Sequence, residues 1–376
     1  MNPKLKILVM AGGTGGHVFP ALAVAERLRS SNVDVFWLGT RRGLEAEVVP
    51  QAGFQIYFIS IGGLRGKRIT TLLLAPFKLA MALMQSFMVL MRLRPDLVLG
   101  MGGFVTGPGG IMAWMLRRPL IIHEQNAVAG LTNRLLSRFA TLVVQAFPNT
   151  FPDKSNVITL GNPVRPEIAK LPPPEERYPK REGPLRLLVL GGSLGAVSLN
   201  KTVPAGIGFM PRQHRPQVLH QTGKGNRQAA LEYYESVHMQ ANVVPFIRQM
   251  EEAYEWADLV VCRAGALTIA ELAAAGVASI LVPYPHAVDD HQTVNAKYLA
   301  DAGAALLVPQ DRLTPEYLSD LLISFAGENM TPVRERLLKM AMAARQLAQV
   351  NATDDVANMC LKLARSGAGQ QSGVKQ

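Results

Sequence analysis

A histidine placed directly after a glycine run is the first feature of this sequence able to do chemistry. In AGGTGGHVFP, residues 11–20, His17 follows Gly12, Gly13, Gly15 and Gly16, and residues 18–30 read as a helix. The imidazole therefore stands at or near a helix N-terminus, where a neutral ring can take a proton from a hydroxyl. A purely structural histidine would fit the same pattern, and the residues alone leave both readings open. A second feature is the run from Val261, VCRAGALTIAELAAAG, in which a strand ends at Cys262 and a helix follows from about Thr268. The amides of Ala266, Leu267 and Thr268 can then face a diphosphate. Glu271 sits about one turn further on, able to accept both hydroxyls of a ribose or, equally, to serve as a first-turn glutamate favoured by the helix dipole. Asp289-Asp290-His291-Gln292 has the look of a metal site, but no second acid at a suitable spacing supports it. No dedicated metal is expected.

Three apolar runs pass into glycine loops and then into helices, at 12–16, 100–110 and 191–195. Glycine lets a backbone approach a phosphate, and the following helix supplies N–H donors. GGTGGH lacks the third glycine of the dinucleotide fingerprint, and no GxxxxGK[ST] occurs, which argues against NAD binding and ATP hydrolysis. A nucleotide-linked substrate fits better.

These residues need a scaffold, and the apolar runs supply one. Strands are predicted at 5–10, 33–38, 55–59, 97–99, 120–122 and 142–144, and again at 185–190, 217–221, 242–245, 259–262 and 279–282. Alternation with helical stretches makes each set a doubly wound α/β unit. The proline-rich, polar stretch 171–184 reads as an inter-domain linker, and 366–376, rich in Gly, Ser and Gln, as a disordered tail.

Composition bounds the partners. The chain has 376 residues, enough for about two domains. Two cysteines, Cys262 and Cys360, exclude a disulfide framework or a zinc cluster and suit a reducing compartment. The net charge of +11 is localised: residues 1–165 carry 18 Lys/Arg against 7 Asp/Glu, and the remainder 21 against 21. A basic first half suits anionic lipid, phosphorylated substrates or nucleic acid. Few aromatics and no recognition motif argue against nucleic acid.

Residues 71–91 contain four clearly polar side chains, Thr71, Lys78, Gln85 and Ser86, close to the composition of a membrane span. A span would separate the flanking strands, which should share one parallel sheet. The segment is instead expected to be a helix from about Pro76 with two apolar stripes: Phe77, Met81, Met84, Met88 and Met91, and Leu79, Leu83, Phe87 and Leu90. One stripe packs on the sheet. The other, assigned to Leu79, Leu83 and Phe87 with Lys67 and Arg68 beside it, suits an anionic membrane surface; a fully buried core helix with solvated basic ends is the alternative.

The ordered motifs AGGTGGHVFP, GLRGK (63–67), MGGFVTGPGG (101–110), HEQNAVAGLTN (123–133), GNPVRPEI (161–168), GGSLGA (191–196), QTGKGN (221–226) and CRAGALTIAEL (262–272) together resemble glycosyltransferase family 28. Its relevant members are the membrane-associated bacterial N-acetylglucosaminyltransferases that complete the lipid-linked disaccharide of peptidoglycan. The resemblance covers residues 5 to about 360.

It implies a GT-B fold, two Rossmann-like domains facing across a cleft: 1–165 for the lipid acceptor and membrane, and 166–345 for the UDP-sugar. A helix at about 346–365 would cross back to the first. By the family pattern the donor, UDP-N-acetylglucosamine, would meet Ser193, Ala266, Leu267, Thr268 and Ala270 near the diphosphate, Glu271 at the ribose and Ile247 at the uracil. Arg165 and Gln292 match donor-contacting positions, Thr14, Gly15, Gly16 and Asn126 would close over the sugar, and His17 matches the residue that deprotonates the acceptor. Leu194 and His291 stand where the family often has Gln. The resemblance further implies an inverting transfer to lipid-linked N-acetylmuramyl-pentapeptide at the cytoplasmic face of the inner membrane, with no cofactor beyond the sugar nucleotide. Contacts with other cell-wall synthesis proteins are compatible with it, and a UDP-sugar-dependent glycolipid synthase is the competing reading.

Overall fold

The computed structural model describes residues 4–62, 74–192, 195–326 and 330–372. The chain forms two compact units, Met1–Pro163 with Asn351–Gln376, and Val164–Val350.

The first unit is built on a parallel sheet of seven strands, β1 (Lys6–Met10), β2 (Asp34–Gly39), β3 (Gln55–Phe58), β4 (Leu97–Gly100), β5 (Leu120–Glu124), β6 (Leu142–Gln145) and β7 (Val157–Thr159), in the order β3-β2-β1-β4-β5-β6-β7. Ile7 to Met10 and Leu97 to Leu99 are fully buried, as apolar runs covered on both faces must be. The order reverses between β1 and β4. In such sheets ligands bind beyond the carboxyl ends of the strands at that reversal. Sequence reading missed β7, a three-residue strand too short to show a period.

Helix α1 (Gly15–Ser30) follows β1 and buries Val18, Ala21, Leu22, Val24, Ala25 and Leu28. It begins three residues earlier than expected, so His17 lies inside its first turn. The C-terminal helix, Ala352–Ser372, packs on α1, with Val356, Ala357, Cys360 and Ala364 in the same core. The return to this unit therefore starts at Asn351, not near 346, because the preceding helix, Met330–Gln346, belongs to the second unit. The helix runs to Ser372. Residues 373–376 lie outside the described residues.

After a short α2 (Glu45–Gln51), α3 (Ala75–Leu93) joins β3 to β4 and covers the opposite face. It is long and apolar enough to cross a membrane by length and composition. Both its ends feed one parallel sheet, however, and Gln85 Oε1 accepts the Ser60 N–H at 2.7 Å, tying mid-helix to the end of β3. α3 ends at Arg94, in the left-handed region ahead of Pro95.

The inward side of α3 is Ala82, Ser86, Leu90 and Leu93. This corrects the two-stripe expectation, since neither stripe packs as a whole. Phe77 is 74% exposed, and Met81, Met84, Met88, Met91, Leu79 and Phe87 also face outward, whereas Leu83 is half-buried, packed in part against the core. The 4-4-3 spacing of small and branched side chains, rather than the methionines, fits the space over the sheet.

The second unit repeats the plan with β8 (Arg186–Leu190), β9 (Gln217–Gln221), β10 (Asn242–Val244), β11 (Leu259–Cys262), β12 (Ala278–Leu281) and β13 (Ala305–Leu307), in the order β10-β9-β8-β11-β12-β13. The reversal falls between β8 and β11. Here too sequence reading missed a three-residue strand, β13.

The stretch 171–184 is not a free linker. It holds two short helical turns, Pro174–Arg177 and Tyr178–Lys180, stitched to the second unit. Arg177 is buried and donates to the carbonyls of Ala275 and Gly276, while Arg181 donates to Asp258 Oδ1 at 2.6 Å and lies over the Tyr178 ring. Two buried guanidinium groups require acceptors, and helix-end carbonyls and a carboxylate provide them. Polar composition hid a packed strap.

Candidate active site

The elements that place His17 converge at the carboxyl ends of β1, β4 and β5. Thr14 caps α1 in an extended conformation, with Gly15, Gly16 and His17 as the first three helical residues. The loop before it is held from below by Glu45, a fully buried carboxylate. Glu45 Oε2 accepts the Gly13 N–H at 2.9 Å, and Oε1 accepts the N–H and the hydroxyl of Thr40, both at 2.8 Å. Gly12 and Gly43 leave room for it: a Cβ at either would lie 2.6 or 2.1 Å from its oxygens.

The second glycine loop lies against the first. A Cβ at Gly102 would sit 2.5 Å from His17 Nδ1, and one at Gly103 would sit 2.3 Å from the Gly12 carbonyl oxygen; both residues have positive φ. No other residue type allows that approach. On the third side, the imidazole Nδ1 is 3.1 Å from Gln125 Oε1. His17 Nε2 has no hydrogen-bond partner among the described residues.

The loop after β5 is organised by Glu124, 3% exposed. Its Oε1 accepts from the backbone and side-chain amides of Asn126, and its Oε2 accepts from the Gly130 N–H and Asn133 Nδ2. His123 is fully buried and donates from Nε2 to the Gly161 carbonyl at 3.0 Å. Burial lowers its pKa to about 4, outweighing the upward pull of that hydrogen bond and of Glu124, so it is neutral at pH 7.

In the second unit, α4 (Ala266–Ala275) follows β11, with Gly265 as an extended cap. The helical ladder opens with the Ile269 N–H donating to Gly265, and the amides of the first turn, 266–268, are oriented along the helix axis beyond it. Glu271 is 6% exposed and engaged on both oxygens. Arg165 Nη2 donates to Oε1 at 2.8 Å and the Tyr254 hydroxyl donates to Oε2 at 3.1 Å. Arg165 is 106 residues distant in sequence, so the two expected donor residues form one ion pair. Burial and the neighbouring Glu271 carboxylate push the Tyr254 phenol well above its usual value, leaving it a hydrogen-bond donor. Burial likewise pushes the Cys262 thiol up to about 12, which leaves it unreactive at pH 7.

Comparison with known proteins decides the family. Residues 7–145 match the glycosyltransferase family 28 N-terminal domain and residues 186–356 its C-terminal domain. The chain is 53% identical to a protein of Marinobacter nauticus over 96% of its own length and 99% of the relative's, and 54% identical to one of Nitrosococcus oceani over the same shares. Both relatives are named UDP-N-acetylglucosamine–N-acetylmuramyl-(pentapeptide) pyrophosphoryl-undecaprenol N-acetylglucosamine transferase. The chain belongs to glycosyltransferase family 28. The crystal structure of Acinetobacter baumannii MurG superposes with a TM-score of 0.82 at 43% identity, over 96% of this chain and all of that one. A kitacinnamycin glycosyltransferase, at 17% identity and TM-score 0.68, shares the fold. The two parallel-sheet units are thus the GT-B architecture of this glycosyltransferase family.

The family 28 positions fall as follows. Thr14, Gly15, Gly16 and His17 lie together at the start of α1, and Asn126 follows Gln125 on the Glu124-organised loop. Arg165, Glu271 and the 266–268 turn, with Ala270 between them, belong to the second unit. Ile247 is half-buried beyond β10, next to exposed Phe246. Gln292 lies in the first turn of the helix His291–Ala300, and its Oε1 accepts the Tyr284 N–H at 2.9 Å. Ser193, Leu194, Lys67 and Arg68 lie outside the described residues. Sequence reading did not single out Glu45, Gln125 or Tyr254. The available signal was position: Gln125 directly follows β5, next to the strand-order reversal.

Proposed function

We propose that this chain transfers N-acetylglucosamine from UDP-N-acetylglucosamine to the C4 hydroxyl of lipid-linked N-acetylmuramyl-pentapeptide, with inversion at the anomeric carbon. The observation that carries this is end-to-end identity above 50% to relatives named for that transfer. In the proposed step His17 Nε2 takes the proton of the acceptor hydroxyl. The freed oxygen attacks the anomeric carbon, the bond from that carbon to the diphosphate oxygen breaks, and UDP leaves with the electron pair. The 266–268 amides and Ser193 would receive the developing charge on the diphosphate. Each Glu271 oxygen, although engaged by Arg165 or Tyr254, keeps a lone pair for a ribose hydroxyl.

The same reading places the chain peripherally on the cytoplasmic face of the inner membrane. The outward Phe77–Met91 side of α3 would enter the acyl boundary, with Lys67, Arg68, Lys78 and Arg92 at the headgroups. The test is UDP release from the sugar nucleotide with and without a short-chain lipid-linked muramyl-pentapeptide. Release that depends on this acceptor and yields a disaccharide is expected, as is loss of turnover with little change in donor affinity for His17→Ala. Turnover on diacylglycerol in its place would overturn the reading in favour of a glycolipid synthase.

A further inference from the structure

We propose that Gln125 is a positioning residue that holds His17 in the tautomer with its proton on Nδ1, so that the lone pair lies on Nε2. A chain of fixed donors and acceptors leads to this. The Met101 carbonyl can only accept, and it lies 2.8 Å from the Gln125 amide, so the atom facing it is Nε2. That leaves Oε1 toward His17, 3.1 Å from Nδ1. An amide oxygen can only accept, so Nδ1 carries the hydrogen.

Each link is itself held. Met101 is fully buried and its N–H donates to Met10 at 2.8 Å, Gln125 is 2% exposed, and its own carbonyl accepts from Asn162 Nδ2 at 2.9 Å. Gly102 keeps the loop against the imidazole edge, where any side chain would collide. The ring is therefore fixed by an amide, the turn of a loop and its own helix.

The choice of an amide has a chemical consequence. A carboxylate in the same place would stabilise imidazolium, whereas a neutral acceptor orients the ring without adding charge. The titratable groups on the surrounding elements follow the same economy. His123 on β5 is neutral, Glu124 is occupied by Asn126, Gly130 and Asn133, and Glu45 is occupied by Gly13 and Thr40.

The catalytic relevance of the tautomer rests on the reading of His17 as the base, and the experiment separates the two. In the full-length protein labelled with 15N-histidine, long-range 1H–15N spectra at pH 8 should show His17 protonated on Nδ1. In Gln125→Met, similar in volume but without an acceptor, that pattern should relax toward a mixture. The acceptor-dependent kcat should then fall about 10- to 100-fold, the range seen when orienting partners are removed, with the donor KM within about twofold. Gln125→Glu retains an acceptor, so it should recover part of kcat and move the acid limb of the pH profile to higher pH. An unchanged tautomer in Gln125→Met overturns the proposal, whereas an acid limb unmoved in Gln125→Glu, with the tautomer relaxed in Gln125→Met, removes His17 as the base. A relaxed tautomer with unchanged kcat supports the positioning role and instead removes His17 as the base.

Discussion

His123 should make the first unit lose stability in mild acid, by an amount its surroundings specify. Its pKa is about 4, against an ordinary 6.5, because the fully buried ring pays for desolvation on charging. Between these values the unfolded chain binds a proton that the folded chain does not. Stability is therefore complete above about pH 6.5 and declines as pH falls toward 4. At about 1.4 kcal/mol per pH unit the full effect is about 3 kcal/mol, of which about 2 kcal/mol has been lost at pH 5. His123→Gln removes the titration and keeps an amide able to donate toward Gly161. The assay is urea unfolding of the full-length protein at pH 7.5 and 5.0, read through Trp37. That indole is fully buried in the first unit, donating to Ala11, and a Trp256→Phe background silences the second unit. The variant should lose about 2 kcal/mol less than its parent between the two pH values. His220, in the second unit, is likewise lowered by burial, to about 3, with its ring accepting from Tyr234 and donating to Asn200, and it is the same in parent and variant. Equal losses with and without His123 would refute the reasoning, since the folded state would then accommodate imidazolium at that position.

Two further outcomes are expected. Glu271→Ala should weaken UDP binding by about tenfold or more in calorimetry, with the fold retained, because it removes the ribose acceptor proposed above and leaves Arg165 and Tyr254 without their partner; unchanged affinity would sink the ribose assignment. Replacing Met81, Met84 and Met88 by Ser should reduce sedimentation with anionic phospholipid vesicles while leaving the melting temperature unchanged within a few degrees, since these side chains are more than half exposed. Undiminished sedimentation would show that this side of α3 does not meet the lipid.

The outline of the molecule was legible because its signals are local. An apolar run covered on both faces, a glycine turn and a helix start all lie within about twenty residues, so both sheets, nearly all strands and the helix-start amides of α4 could be read directly. The misreadings have physical causes as well. Three-residue β7 and β13 carry no period, and the 171–184 strap was judged by composition, although Arg177 and Arg181 bury their stems and find carbonyls about 75 to 100 residues away.

The site divides along the same line. That His17 stands at or near a helix N-terminus, and Glu271 about one turn inside another helix, follows from neighbouring residues. Which atoms hold them does not: Gln125 meets His17 across 108 positions, Glu45 meets Gly13 across 32, and Arg165 meets Glu271 across 106. A sequence determines which side chains can donate, accept or titrate. Only the folded sheet, by bringing the ends of distant strands side by side and excluding water between them, decides which of those capacities are paired and on which nitrogen the His17 proton rests.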